Sequence, residues 1–261
     1  MAKPRHRPLN IGHRGASAET PENTLAAFRR ALEVGADGLE LDLHLTRDGE
    51  VVVIHDDRVD RTTDGRGFVH EMSLAGLRRL DAGSWFNRRC PDRARPAFAG
   101  APVPTLQEVF DLARPVGAVL YLEIKHGPGY RPALVERVLA GLAQNRYAAR
   151  AVIECFDHTV LAGVTRHNPA LSICPLFEAG SAGVLVVAAA LGAPELAPHW
   201  TLVSPELVQA AHAAGRRVTA WTADDPAVMR ALVAAGADAV ITNFPSRLKQ
   251  ILDNDFEFSY N

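Results

Sequence analysis

The amino-acid sequence predicts an α/β protein, a (β/α)8 barrel with a small insertion after the second strand region, on three observations. Apolar, β-branched runs alternate with helical patterns almost to the end of the chain, as βαβ units around a parallel sheet require. The length, 261 residues, is usual for such a barrel. With 48% hydrophobic residues the chain can bury a sizeable core. An open doubly wound sheet is the competing architecture.

Strands are expected at 9–12, 38–45, 51–55, 118–124, 151–156, 171–177, 217–221 and 238–242. The segments "NTLAAFRRALEVG", "RPALVERVLAGLAQN", "SPELVQAAHAAG" and "DPAVMRALVAAG" carry the apolar spacing of helices between them. Asn23 or Thr24 is placed to cap the first. "EVGADGLELD" (33–42) and "VAAGADAVITN" (233–243) both leave a helix at glycine, which suits Gly35 and Gly236 to left-handed backbone. The run "GVLVVAAALGA" from Gly183 is too short to span a bilayer and reads as a buried helix. Between His55 and Val103 the alternation stops for a stretch too long and polar to be an ordinary connection. It reads as an insertion at about 56–104 with a helix near 73–80, inside one domain spanning 1–261.

Formal net charge is −2, so no basic excess points to nucleic acid or an anionic membrane. The basic start "MAKPRHRPLN" runs into no apolar stretch and is not expected to be a secretory signal. Cys90, Cys155 and Cys174 form no C-x-x-C pair, and their odd number argues against a disulfide framework or a zinc knuckle. A reducing compartment, the cytoplasm, is expected.

The chemistry concentrates on two strands. In "DGLELDLHL" alternate residues face opposite sides: Leu39, Leu41 and Leu43 one way, Glu40, Asp42 and His44 the other. "VLYLEIK" repeats the design with Tyr121, Glu123 and Lys125 opposite Leu120, Leu122 and Ile124. Burying unpartnered carboxylates costs several kcal/mol, so Glu40, Asp42 and Glu123 must be paired, protonated or wrapped around a cation. Oxygen donors of this kind suit Mg²⁺ or Ca²⁺, with Mn²⁺ a further candidate. A solvated edge face would give the same alternation. His13 and His55 fall at the ends of expected strands, on the functional rim of a barrel, and such a pair can donate and accept protons. Arg14 offers a fork for phosphate, and its flanking glycines, Gly12 and Gly15, would let backbone approach a ligand. Lys125, one of three lysines beside twenty-five arginines, could serve as a counter-ion to Glu123.

Together, "GHRGASAETPENTLAAF", "GADGLELDLHLTRDGEVVVIHDDRVDRTTDGRG", "YLEIK" and "AHAAGRRVTAWTADDPAVMRALVAAGADAVITNFP" resemble the glycerophosphodiester phosphodiesterase family over about residues 9–247. The resemblance implies a TIM barrel that hydrolyses glycerophosphodiesters to sn-glycerol 3-phosphate and an alcohol. It implies a divalent cation on Glu40, Asp42 and Glu123, catalysis by His13 and His55, and phosphate handling by Arg14 and Lys125. Trp221 matches the aromatic of the substrate cavity; a core tryptophan at a strand end is the plainer alternative. The resemblance further implies attack by the neighbouring glycerol hydroxyl, giving a cyclic phosphate that water opens. Either histidine could be the acid or the base. Asn243 stands where the family usually carries an acid and Cys155 where serine is common; neither is expected to touch the ligands or histidines. A lysophospholipase D-type activity, or a non-catalytic phosphodiester-binding barrel, are the alternatives. No stable membrane anchor stands out, although the insertion contains "GSWF". Oligomeric state is left open.

Overall fold

The computed structural model describes residues 6–130 and 132–256; the basic start at 1–5, Arg131 and residues 257–261 lie outside the described residues. The strands are β1 (Leu9–His13), β2 (Gly38–Leu45), β3 (Val51–Val53), β4 (Val119–Ile124), β5 (Ala151–Cys155), β6 (Ser172–Phe177), β7 (Glu195–Pro198), β8 (Arg217–Ala220) and β9 (Ala239–Thr242). Parallel pairing runs from β2 through β4 to β9, and β1 joins both ends, so eight strands close into a barrel. The flanking helices are α1 (Leu25–Glu33), α2 (Leu74–Leu77), α3 (Ser84–Arg89), α4 (Leu106–Ala113) and α5 (Ala133–Gln144). They continue as α6 (His158–His167), α7 (Val184–Ala190), α8 (Pro205–Ala213), α9 (Pro226–Ala235) and α10 (Pro245–Phe256).

Strand alternation builds the layers. Leu39, Leu41 and Leu43 of β2 and Leu120, Leu122 and Ile124 of β4 are buried in one cluster with Phe28 of α1, Phe110 of α4 and Val138 of α5. Each such side chain contributes about 1.5–3 kcal/mol relative to exposure. The opposite faces point into the barrel. Toward its N-terminal end Glu195 of β7 is fully buried, accepting hydrogen bonds from Tyr121 Oη (2.8 Å), Thr219 and Arg217 Nε (2.9 Å). Those partners offset the desolvation of an acid in the core.

Three expectations change. The segment expected at 51–55 does not join the barrel: β3 runs antiparallel to β2, with Leu43 opposite Val53. The barrel's remaining strand is instead β7, "ELAP", which is short and carries a charge and a proline, so no hydrophobic pattern marks it. Segment 183–193 does form a helix, α7, but it is not buried: Val184 and Ala188 face the core while Val186 is 73% exposed. A run apolar on every side leaves only one side covered when it packs on a barrel.

Gly35 and Gly236 both adopt positive φ, 87°, ending α1 and α9 before β2 and β9. After β3 the chain from Ile54 to Val103 carries α2 and α3, and Ile54, Val59, Val69, Leu77, Ala82 and Val103 pack with Val52 into their own apolar cluster.

Candidate active site

The C-terminal ends of β1, β2 and β4 lie side by side, and their register decides the site. His13 is level with Glu40, and Asp42 with Glu123. Glu40, Asp42 and Glu123 are buried, and one oxygen of each lies within 4.8 Å of the others. Lys125 bridges two of them, its Nζ 2.8 Å from both Asp42 Oδ1 and Glu123 Oε1. Arg14 takes the other side of Asp42, Nε to Oδ2 at 3.2 Å. Asn23 Nδ2 also donates to Asp42 Oδ2, at 2.6 Å, and the Arg14 backbone N–H donates to Glu40 Oε2 at 3.0 Å.

The electrostatics follow from three acids set against two cations. Burial, then the neighbouring Asp42 and Glu123 carboxylates, push the Glu40 carboxyl well up. Burial opposes ionisation of Asp42 too, but Lys125 and Arg14 hold its carboxyl well down. Glu123 is raised, mainly by burial. Acids outnumber cations in the cluster, which after burial is what raises Glu40, and its donors are all carboxylate oxygens. A hard divalent cation fits that donor set.

His55 reaches the site by a different route from the one expected. It does not end a barrel strand: the β2–β3 hairpin folds back, and the Ile54 N–H donates to the Asp42 carbonyl at 3.1 Å. His55 then lies just beyond β3, its Nδ1 2.6 Å from Asp56 Oδ1. Arg61 holds the other face of Asp56 and both oxygens of Glu22, whose Oε1 also accepts from Arg14 (2.9 Å). His44 is buried below, with Nε2 3.1 Å from the His55 carbonyl oxygen. It touches the backbone that carries His55.

At the other histidine the expectation about Asn243 is overturned. Asn243 Oδ1 lies 2.7 Å from His13 Nδ1 and accepts from Ser17 Oγ at 2.5 Å. Its amide Nδ2 donates to Asp224 Oδ2 at 2.6 Å, which fixes which end of the amide faces the histidine. The loop after β1 approaches α10's leading turn through this network because β9 and β1 are neighbours. Burial, then the adjacent Arg14 cation, lower the His13 imidazole to about 4. Cys155, the other departure, points away, its thiol donating to the Ile124 carbonyl.

The flanking glycines serve a different purpose from ligand approach. A Cβ on Gly15 would lie 2.5 Å from Ala27 backbone carbon, and one on Gly12 would lie 2.9 Å from Ala31 Cβ. They let the loop seat against α1. Arg14 itself has φ 54°, a strained conformation for a side-chain-bearing residue. Thr24, not Asn23, caps α1, accepting from the Ala27 N–H. That frees Asn23 for Asp42.

A cavity of 250 Å³ opens over these groups, lined by His13, Arg14, Glu40, His55, Glu123 and Lys125. Trp221 lies in its wall, its indole N–H donating to the Ala197 carbonyl at 2.8 Å and its ring edge-on to Phe156 at 5.3 Å. Glu154 forms part of the floor, buried and pushed well up by its burial and by the nearby Glu40 and Glu123. Sequence reasoning missed Asn23, Glu22, Asp56, Arg61, Phe156 and Asp224. Glu154 alone had a signal, a lone acid on the apolar run "AVIEC".

The model of the glycerophosphoryl diester phosphodiesterase family matches residues 13–247. A protein named glycerophosphodiester phosphodiesterase from Caldanaerobacter subterraneus subsp. tengcongensis is 39% identical over 92% of this chain and 96% of its own length. A solved structure from Silicibacter pomeroyi superposes with a TM-score of 0.87 at 31% identity, covering 96% of each chain. A phosphodiesterase from Oleispira antarctica, solved in complex with the product sn-glycerol-3-phosphate, gives 0.85 at 29% identity, covering 94% of this chain and 97% of that one.

Proposed function

Since the chain belongs to the glycerophosphoryl diester phosphodiesterase family and is an enzyme of that kind, we propose that it hydrolyses glycerophosphodiesters to sn-glycerol 3-phosphate and an alcohol, using a divalent cation and two histidines. The observation that carries this reading is the convergence of Glu40, Glu123, two histidines and two cations on one cavity, with the Asp42 carboxylate buried beside the other two acids.

Glu40, Asp42 and Glu123 would hold Mg²⁺, Ca²⁺ or Mn²⁺, and a bound cation supplies charge neutralisation to phosphate oxygens. Arg14 and Lys125 face the same cavity and add positive charge where negative charge develops. His13 is the base in this reading. Burial keeps it neutral, and the orientation of Asn243 places a proton on Nδ1, leaving the Nε2 lone pair free. Nε2 can take the proton of the glycerol hydroxyl next to the phosphoester as that oxygen attacks phosphorus and the bond to the alcohol breaks, giving a cyclic phosphate that water then opens to sn-glycerol 3-phosphate. His55 is the acid: its Nδ1 donates to Asp56, which fixes the ring so that Nε2 can deliver a proton to the departing alkoxide. Trp221 supplies an apolar wall for the substrate.

The substrate is a small molecule. Among the described residues no helix is long and apolar enough to cross a membrane. Trp85 of "GSWF" is half-buried, its indole bonded to the Ala82 carbonyl, which offers no support for a lipid anchor. One domain with its insertion, working in the cytoplasm, completes the proposal. The deciding experiment incubates purified protein with glycerophosphocholine and detects sn-glycerol 3-phosphate, with and without chelator. No product in the presence of divalent cation would refute the reading.

A further inference from the structure

A second cavity, of 390 Å³, shares His13 and Arg14 with the first and extends from them to α3 of the insertion. Its wall carries three more cations, Arg61, Arg89 and Arg93. Of the two acids in the lining, Glu22 is paired with Arg14 and Arg61, and Asp224 is held by the uncharged side chains of Asn243 and Thr242. Among the described residues no carboxylate pairs with Arg89 or Arg93, and the Arg93 guanidinium donates to the Ala18 carbonyl. The whole chain is slightly acidic, so the positive charge that Arg89 and Arg93 leave without a carboxylate partner is local.

The aromatic part of the wall, on the same helix as Arg89, is fixed. Trp85 is tethered through Ala82, and Phe86 is buried against Phe98 at 5.8 Å. The cavity therefore presents guanidinium groups around a rigid aromatic side, next to the groups that would hold the phosphoester. Guanidinium forks match the planar or tetrahedral oxygens of carboxylate and phosphate. We propose that this cavity, which Arg61 joins through Asp56 to the acid His55, is a subsite for a second anionic group, carried by the alcohol half of the diester. The substrate class is then glycerophosphodiesters whose leaving alcohol bears a phosphate or a carboxylate. This deepens the reading above and rests on it.

The test compares two diesters that differ only in the leaving alcohol, glycerol in one and glycerol phosphate in the other. In the unmodified enzyme kcat/KM should favour the phosphorylated substrate by about tenfold, the effect of one charge-assisted hydrogen bond. Arg89→Gln/Arg93→Gln should shrink that ratio to below about threefold. Added salt should also shrink it, since both arginines are exposed and screened. A ratio near one in the unmodified enzyme, or a ratio the double variant leaves unchanged, overturns the subsite. A ratio near one together with arginine-dependent inhibition by inorganic phosphate would make it a free-anion site and overturn the substrate assignment. If neither diester is cleaved, the activity itself falls. Calorimetric binding of the same pair then reads the subsite, with tenfold preference expected and equal affinity overturning it.

Discussion

His13 Nδ1 and Asn243 Oδ1 lie 2.7 Å apart, joining the end of β1 to the residue that follows β9. The amide cannot turn over, because its Nδ2 is committed to Asp224. A neutral acceptor thus fixes the imidazole's orientation without adding a negative charge beside it.

Asn243→Leu should therefore lower kcat by roughly tenfold to a hundredfold, less than loss of the base itself, with KM little changed. Asn243→Asp should retain more activity but alter its pH dependence. A carboxylate at that point raises the His13 pKa from about 4, and the base works only when neutral. The acid limb of kcat/KM should move to higher pH. An unshifted limb would mean that His13 is not the group it reports.

Chelation should abolish turnover, and Mg²⁺, Mn²⁺ or Ca²⁺ should restore it. Cation should also raise the melting temperature of the protein, since binding only the folded state stabilises it. Glu40→Ala, Asp42→Ala and Glu123→Ala should each remove both effects. Glu50→Ala, in the β2–β3 turn, should remove neither. Full activity after exhaustive chelation is the contrary result.

His13→Ala and His55→Ala should each reduce kcat by roughly 10²–10⁴, and the double variant should be little worse than the poorer single one. His44→Ala should cost less than His55→Ala, because His44 reaches the site only through the His55 backbone. Equal losses would exchange their roles.

Substrate lacking the C2 hydroxyl of glycerol should be turned over far more slowly than glycerophosphocholine, even where it binds. An intramolecular nucleophile gains a large effective concentration, and its removal forfeits that gain. Comparable kcat/KM for the two would discard neighbouring-hydroxyl attack.

Gly15→Ala should lower stability by about 2 kcal/mol, combining positive φ with overlap against Ala27. Thermal unfolding measures it. An unchanged melting temperature would show that the loop after β1 can move away from α1.

The barrel and the shared face of Glu40, Asp42 and Glu123 were legible in the sequence because strand alternation is local, whereas the route that brings His55 to them was not. Glu40 and Asp42 had to share a face opposite three leucines, whatever the rest of the chain did. Strand β7 was not legible, since four residues with a charge and a proline bury fully only when neighbours on both sides supply the pattern. The β2–β3 hairpin likewise had to be seen, because strand signals do not state pairing direction.

What the sequence by itself determined was which side chains could meet: residue types and two-residue periodicity assign each to the barrel interior or to the helix layer. Only the tertiary structure decided their partners. Asn243 sits 230 residues from His13, and Asp42 gathers Arg14 and Asn23 from the loop after β1 and Lys125 from the end of β4. Barrel closure sets those contacts, by joining β1 to β9 and fixing the register across β2 and β4. Hydrogen bonds and charges act over a few ångströms of space, and distance along the chain carries no record of which groups closure brings within that reach.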